Sequence, residues 1–312
     1  MAQEYALGID IGGTNTTFGI VDKRGNIVEK GHMETSGNTV GQYIEALKVA
    51  VQPLIDKVGR NYITAVGVGA PNGNFYTGEV VNAANLPWKG AIPFAKLLSD
   101  ALNLKVTITN DANAAALGEM MYGAAKGMRD FIVVTLGTGV GSGFVANGQL
   151  IYGHDGFAGE LGHVIAVRNG RTCGCGRKGC VERYSSATGI VITAEEWLAE
   201  RKDESLLRNV SGKLTAKSIG DAAEQGDALA LEIFEYTGRI LGETLADVVA
   251  ITSPQAIIFF GGLAKAGKLI LGPVARHMED NLLSIYNNKI SILSSDLPNT
   301  DAAILGASAL AW

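Results

Sequence analysis

Two segments of the chain share one pattern: an apolar strand, a short turn of glycine and threonine, and a second strand. The first runs from strand 5–10 through Gly12-Gly13-Thr14 to strand 16–22, and the second from strand 131–136 through Gly137-Thr138-Gly139 to strand 142–146. Each predicts a hairpin, which differs from the strand–helix–strand opening of a Rossmann unit. One explanation of the repeat is an α/β fold of two related halves, each giving a phosphate-gripping hairpin to a shared cleft.

The chemistry of both turns suits phosphate. Glycine has no Cβ, so backbone N–H groups can approach phosphate oxygens, and a threonine hydroxyl adds a hydrogen bond. Asp10, just before the first turn, can hold a hydrated magnesium ion. Either turn alone could be an ordinary hairpin turn, but the pair favours binding of nucleotide phosphates. No Gly-Lys-Ser/Thr follows the first turn, so it is not a Walker A loop.

Asn110 and Asp111 lie where a predicted strand, 105–109, leads into an alanine-rich helix, 112–125. Asn and Asp often cap helix N-termini, so a structural role alone would explain them. The functional alternative is a general base, a carboxylate that takes the proton of a substrate hydroxyl as its oxygen attacks a phosphoryl group. One residue can both cap and catalyse.

All three cysteines of the chain lie close together, and a histidine precedes them. Nine residues separate His163 from Cys173, one separates Cys173 from Cys175, and four separate Cys175 from Cys180. One imidazole and three thiolates make a complete tetrahedral set, so the pattern predicts a structural zinc site in loop 163–180. The alternative is three unligated cysteines and a core histidine.

Two glutamates, Glu160 and Glu182, flank this loop. They could be solvated surface acids, or carboxylates that accept hydrogen bonds from sugar hydroxyls. A zinc ion on one ring nitrogen of His163 would fix the ring and leave the other nitrogen for the same sugar. The metal would then order the sugar site without entering the chemistry.

Length and charge bound the class of protein. At about 150 residues per domain, 312 residues predict two domains, which we place at 1–110, joined by a C-terminal helix 300–312, and at 111–299. The net charge of −5 does not favour nucleic acid or an anionic membrane as a partner. The chain shows no signal-peptide pattern and its crowded cysteines suit a reducing compartment, so we expect a cytoplasmic protein.

Taken together, these motifs resemble those of the ROK family of bacterial sugar kinases and repressors, and most of all its glucokinases. The resemblance runs from Asp10 to about Gly262. DIGGT resembles the first phosphate loop of the family, LGTGVGSG its second, ELGH its ExGH motif and CGCGRKGCVE its CxCGxxGCxE zinc motif. Asn110-Asp111 resembles its sugar-binding Asn and catalytic Asp, and Gly261-Gly262 its glycine pair near the adenosine.

The resemblance implies a two-domain, actin-like (ribonuclease H-like) ATPase fold that closes on its sugar. It implies transfer of the γ-phosphoryl group of ATP to the 6-hydroxyl of glucose, with Mg2+ and a structural Zn2+, by a homodimer or homotetramer. Asp111 would be the base. The implied sugar ligands are Asn110, Asp111, Glu160, His163, Glu182 and Gly73, and the implied ATP-binding residues are Asp10, Gly12, Gly13, Thr14, Gly137, Thr138, Gly139, Gly261 and Gly262.

One departure from the family pattern concerns specificity. The family often reads Ala-Pro-Gly where this chain reads Ala70-Pro71-Asn72-Gly73, so the loop that would bring Gly73 to the sugar is one residue longer. Another hexose or an N-acetylhexosamine therefore stays an alternative substrate, and polyphosphate an alternative donor. A sugar sensor without turnover would not need Asp111 as a base. A scaffold built around zinc would not explain the paired glycine loops.

Overall fold

The structure is a computed structural model that describes residues 4–83, 85–298 and 301–312. The chain forms two compact units. The first comprises the described residues of Met1–Met128, Gly143–Gly159 and Asp296–Trp312, and the second comprises Arg129–Ser142 and Glu160–Ser295.

The described residues form both strands and helices. The strands are β1 (Tyr5–Ile11), β2 (Asn15–Asp22), β3 (Ile27–Glu34), β4 (Ile63–Gly69), β5 (Val80–Val81), β6 (Ala91–Ile92), β7 (Val106–Thr109), β8 (Phe131–Leu136), β9 (Val140–Ala146), β10 (Gln149–Leu150), β11 (Ala256–Phe260) and β12 (Ser291–Ser294). The helices are α1 (Val40–Val58), α2 (Phe94–Leu102), α3 (Asp111–Tyr122), α4 (Glu182–Ser185), α5 (Ala187–Glu200), α6 (Ala216–Glu224), α7 (Ala228–Thr252), α8 (Lys268–Asn281) and α9 (Ala302–Ala309).

The sheet of the first unit has the order β3-β2-β1-β4-β7. Strands β1, β2 and β3 are antiparallel neighbours, whereas β1, β4 and β7 run parallel. In the parallel register Asp10 pairs with Gly69, and Gly69 pairs with Thr109. The carboxyl ends of three strands therefore meet at one edge, and this edge carries Asp10 and the start of α3.

Helix α9 packs on this sheet, and glycines make room for it. A Cβ at Gly67 would overlap the carbonyl oxygen of Ala307, and one at Gly306 would lie 2.7 Å from the carbonyl oxygen of Ala114 in α3. Because α3 packs on α9, residues up to Met128 and the C-terminal segment belong to the first unit. From the sequence, the first domain was predicted to end near residue 110. The second predicted boundary, between residues 299 and 300, lies outside the described residues.

The second sheet repeats the arrangement of the first. Its order is β10-β9-β8-β11-β12, in which β9 and β10 are antiparallel and β8, β11 and β12 run parallel. This repeat confirms the predicted α/β fold of two related halves. Long helices α7 and α8 pack closely, since a Cβ at Gly242 would lie 2.6 Å from the carbonyl oxygen of Val274.

Most of the predicted elements are confirmed within a few residues at each end, among them both hairpins and the strand before Asn110. Helices α2, α5, α6 and α8 were not predicted. None of the described helices has both the length and the apolar character needed to cross a membrane.

Candidate active site and metal centre

The first glycine turn joins β1 to β2 and leaves two backbone donors unused. The N–H of Gly12 donates to the carbonyl oxygen of Asn15 at 2.9 Å, and the carbonyl oxygen of Thr14 accepts from the N–H of Thr35 at 2.8 Å. Within the described residues, the N–H groups of Gly13 and Thr14 have no protein acceptor. Gly13 also has no space for a side chain, because a Cβ there would lie 2.8 Å from the carbonyl oxygen of Asn85. The turn can therefore donate two hydrogen bonds to a phosphate group.

Asp10 is a partly buried carboxylate at the carboxyl end of β1. Desolvation, and secondarily the negative charge of Asp111, raises the pKa of Asp10 to about 7. A nearby cation would favour the charged carboxylate, and carboxylate oxygens are the ligands that Mg2+ prefers. The chemistry of this donor fits magnesium.

Asn110 and Asp111 start helix α3 directly after β7. The side-chain oxygen of Asn110 accepts the N–H of Asn113 at 2.7 Å, so Asn110 caps the helix. Its amide nitrogen has no protein acceptor in the described part of the chain and can donate to a ligand.

The Asp111 carboxylate accepts the N–H of Ala112 at 2.9 Å and keeps solvent-accessible surface. Protein atoms nevertheless surround it closely, and this desolvation raises the pKa of Asp111 above its ordinary value. A raised pKa makes the carboxylate a better proton acceptor than a solvated aspartate. The side chain therefore combines access to a substrate with the basicity that a general base needs.

Gly73 is the last residue of a tight turn that includes Asn72, the additional residue of this loop. The N–H of Gly73 donates to the carbonyl oxygen of Ala70 at 3.0 Å, with Pro71 second in the turn and Asn72 third at a φ of 53°. These are the residues and the positive φ of a type II turn. A Cβ at Gly73 would lie 2.7 Å from the carbonyl carbon of Thr109, so the loop passes directly beside the start of α3. Its N–H is used within the turn.

The second glycine turn, between β8 and β9, is held from several sides. The carbonyl oxygen of Gly137 accepts from the N–H of Ala187 at 2.8 Å, and that of Thr138 accepts from the hydroxyl of Thr188 at 2.9 Å. The N–H groups of Thr138 and Gly139 donate to no acceptor among the residues that the structure describes. This turn, like the first, therefore presents two backbone donors.

Gly261 and Gly262 lie beside the second turn. Gly261 has a φ of 107°, and a Cβ there would lie 2.7 Å from the carbonyl oxygen of Leu136, the last residue of β8. No atom of the described residues lies within 4 Å of a Cβ built at Gly262. The glycine pair thus lies beside the second phosphate loop with an open face, where a nucleotide could approach.

The cysteine loop brings four potential metal ligands together. The ligand atoms of His163, Cys173, Cys175 and Cys180 all lie within 4.8 Å of one another. Nδ1 of His163 is 3.7 Å from Sγ of Cys173, and Sγ of Cys175 is 3.6 Å from Sγ of Cys180. A tetrahedral zinc ion with its usual bond lengths requires ligand separations of roughly 3.5–3.8 Å. The donor set and both distances fit zinc.

Electrostatics near the cluster favour a thiolate. The backbone N–H of Arg177, helped by its side chain, lowers the pKa of the Cys175 thiol to about 6. The Arg177 guanidinium also donates to the carbonyl oxygen of His163 at 2.7 Å. Arg177 therefore links two of the four ligands and balances negative charge on the sulfur atoms.

Glu160 and Glu182 each lie near one of the candidate metal ligands. Oε2 of Glu160 is 4.0 Å from Nε2 of His163, the ring nitrogen that points away from the cysteines. Oε2 of Glu182 accepts the N–H of Val140 at 3.1 Å, while its Oε1 lies 4.0 Å from Sγ of Cys173. The contact of Glu182 with the second phosphate loop was not expected from the sequence.

Sequence reasoning also missed Arg171, which fixes the metal loop to α5. Its guanidinium bonds the carboxylate of Glu196 and lies 4.5 Å above the ring of Tyr184. Its partners lie 13 and 25 residues further along the chain, with no motif connecting them. No local signal in the sequence could have identified this contact.

Considered separately, each unit gathers part of the predicted set. The first brings Asp10, Gly12–Thr14, Gly73, Asn110 and Asp111 to the carboxyl edge of β1, β4 and β7. The second gathers Gly137–Gly139, Gly261, Gly262, Glu160, Glu182 and the four candidate metal ligands.

Comparison with known proteins places the chain among sugar kinases. A family model described as the ROK family matches residues 6–312. The glucokinase of Halalkalibacterium halodurans is 34% identical over 98% of this chain and 94% of that protein, and the N-acetylmannosamine kinase of Citrobacter koseri is 32% identical over 98% of each. The crystal structure of a ROK family glucokinase from Streptomyces griseus, in complex with glucose and AMPPNP, superimposes with a TM-score of 0.81, at 32% identity and 98% coverage of both chains.

Proposed function

Because the chain belongs to the ROK family, we propose that it is an ATP-dependent glucose kinase that forms glucose 6-phosphate and ADP. The similar glucokinase of H. halodurans and the S. griseus glucokinase with glucose and AMPPNP support both substrates. The observation that carries the proposal is the Asp111 carboxylate, which is accessible, has a raised pKa and lies at the strand edge beside Asp10.

Asp111 is the base in this reaction. Its carboxylate accepts the proton of the glucose 6-hydroxyl as the hydroxyl oxygen attacks the γ-phosphorus. The bond from the γ-phosphorus to the bridging oxygen breaks, and the electron pair leaves with ADP. The proton stays on Asp111 until the products leave.

The two glycine turns bind the triphosphate through backbone donors. Gly13, Thr14, Thr138 and Gly139 carry N–H groups without a protein acceptor in the described residues. Such donors are fixed before the nucleotide binds, so they stabilise developing charge without reorganisation. Gly261 and Gly262 are proposed to accommodate the nucleoside.

The sugar ligands are proposed from the family resemblance and from the polar side-chain atoms that these residues carry. Asn110 has an amide donor, His163 has Nε2 and Glu182 has Oε1, since its Oε2 already accepts from Val140. Glu160 supplies a further carboxylate. Hydroxyl groups that pair with such fixed partners give strong discrimination between sugars.

Two metals complete the proposal. Asp10 would hold Mg2+, which offsets charge on the phosphate oxygens, and His163 with the three cysteines would hold a structural Zn2+. We also propose a homodimer or homotetramer, which light scattering of the purified protein tests.

A second candidate is an N-acetylmannosamine kinase, because the C. koseri relative with that name is 32% identical over nearly the whole chain. The same base, loops and metals would serve it. The difference lies at the sugar 2-position, where an acetamido group replaces a hydroxyl.

The function is tested with zinc-loaded protein, ATP and Mg2+, by following ADP and glucose 6-phosphate. We expect the two products in equal amounts, with ADP release that depends on glucose. Absence of glucose-dependent ADP release from folded, zinc-loaded protein would contradict the proposal. Acceptance of N-acetylmannosamine in place of glucose would favour the second candidate.

A further inference from the structure

Glu182 makes a contact that a role as sugar ligand does not require. Its Oε2 accepts the backbone N–H of Val140 at 3.1 Å, at the end of the second glycine turn. A Cβ at Gly139 would overlap the same oxygen, so the carboxylate lies directly against the turn. This close contact explains why position 139 requires glycine, although its φ does not.

The position of Glu182 is fixed from the metal loop. The N–H of Val181 donates to the carbonyl oxygen of Val164 at 2.9 Å, and that of Arg183 donates to the carbonyl oxygen of Cys180 at 3.0 Å. Its second oxygen, Oε1, lies 4.0 Å from Sγ of Cys173. Backbone bonds to Cys180 and to the residue after His163 thus tie Glu182 to the metal loop.

We propose that Glu182 is a positioning residue for the second phosphate loop, through which the metal loop sets the affinity for nucleotide. The inference rests on the proposed binding of ATP by Thr138 and Gly139. Their unused N–H groups directly precede Val140, so the hydrogen bond to Glu182 fixes the direction in which they point. A carboxylate acceptor gives a charge-assisted hydrogen bond, stronger than a neutral one.

The test measures nucleotide binding without sugar, so that loss of a sugar ligand cannot affect the result. Fluorescent methylanthraniloyl-ATP with Mg2+ is titrated into wild type, Glu182→Ala, Glu182→Gln and the control Glu195→Ala. Glu195 is exposed on α5 in the same unit. Zinc content and circular dichroism are measured for each protein.

We expect Glu182→Ala to bind the nucleotide about tenfold more weakly, the effect of losing one hydrogen bond to a charged group. Glu182→Gln keeps an acceptor for Val140 and should stay within about threefold of wild type. Glu195→Ala should match wild type.

A second set of variants separates positioning from general damage. Gly139→Ala should weaken nucleotide binding because its methyl group displaces the carboxylate, and the double variant Gly139→Ala/Glu182→Ala should bind no more weakly than Gly139→Ala alone. Additive losses would contradict the proposal.

Unchanged nucleotide affinity in folded, zinc-containing Glu182→Ala would also overturn the proposal and leave Glu182 as a sugar ligand only. Glutamine as damaging as alanine would overturn it too, since a side chain that still accepts the Val140 N–H would then fail to position the loop. Wild type that binds no nucleotide would instead refute the proposed function, and this inference with it.

Discussion

Asp10 and Asp111 both lie beside Gly69, and the charge of Asp111 contributes to the raised pKa of Asp10. A Cβ at Gly69 would lie 3.5 Å from Oδ1 of Asp10 and 3.8 Å from Cα of Asp111. Two nearby carboxyl groups with little solvent resist being charged together. A cation on Asp10 would relieve this repulsion and leave Asp111 to accept a proton.

Replacing Asp111 tests the base directly. In Asp111→Asn the side chain cannot accept the hydroxyl proton, and we expect kcat to fall by about 10²- to 10⁴-fold. Glucose affinity, measured by titration, should change far less. The control Asp100→Asn, on the exposed face of α2, should retain wild-type kcat. Near-normal turnover of Asp111→Asn would refute the assignment.

The raised pKa of Asp10 predicts a pH-dependent stability in magnesium-free buffer. Its pKa is about 7 in the folded protein against 3.8 for the ordinary side chain. Folding favours the neutral form of the Asp10 side chain. The resulting contribution to the stability of the folded protein is fully present below pH 3.8 and is lost as pH rises through about 7. Asparagine does not ionise, so Asp10→Asn does not lose this stability at high pH.

We therefore expect Asp10→Asn to be more stable than wild type at pH 8, by roughly 1–4 kcal/mol in urea unfolding. The difference should shrink towards pH 5, whereas Asp100→Asn should show no such trend. A difference that is the same at both pH values would disprove the electrostatic explanation.

Zinc and sugar affinity should be lost together. Cys175→Ser removes one of four ligands, which releases the restraint on His163. We expect less bound zinc by metal analysis and weaker glucose binding by calorimetry. Lys178→Ala, in the same loop with an exposed side chain, serves as the control. Full zinc content together with unchanged glucose affinity would argue against this coupling.

The packing of α9 on the first sheet predicts a strong effect at Gly67. In Gly67→Ala the new methyl group would overlap the carbonyl oxygen of Ala307 and lie 3.0 Å from Cβ of Leu310. Overpacking of this kind costs about 1–3 kcal/mol. Gly41→Ala, on α1 with open space around it, should change the free energy of unfolding by less than about 1 kcal/mol. Equal stability of the two variants would show that α9 can move away.

The sequence predicted those elements whose cause is local. Alternating apolar residues and glycine turns were enough for the hairpins, and a helix after Asn110 follows from its cap. Helix α3 was expected to reach residue 125, but it ends at Tyr122, where the buried Glu119 carboxylate accepts the N–H of Ala124 at 2.8 Å. That contact depends on how a side chain folds back, which no local pattern specifies.

The metal cluster was predictable because its four ligands lie close in sequence, and the structure brings them together. Helix α8, which contains Pro273, was not predicted from the sequence. The hydrogen bond from Val140 to Glu182 spans 42 residues, so it is a result of the tertiary fold. The preferred sugar stays a prediction.

Comparison of kcat/KM across sugars tests both the kinase activity and the glucose preference. Purified zinc-loaded protein is assayed with ATP and Mg2+ on glucose, mannose, fructose, N-acetylglucosamine and N-acetylmannosamine, with ADP release as the measured rate. We expect glucose to have by far the highest kcat/KM. A higher value for N-acetylmannosamine or another sugar would contradict the glucose assignment, and no ADP release with any sugar would contradict the kinase itself.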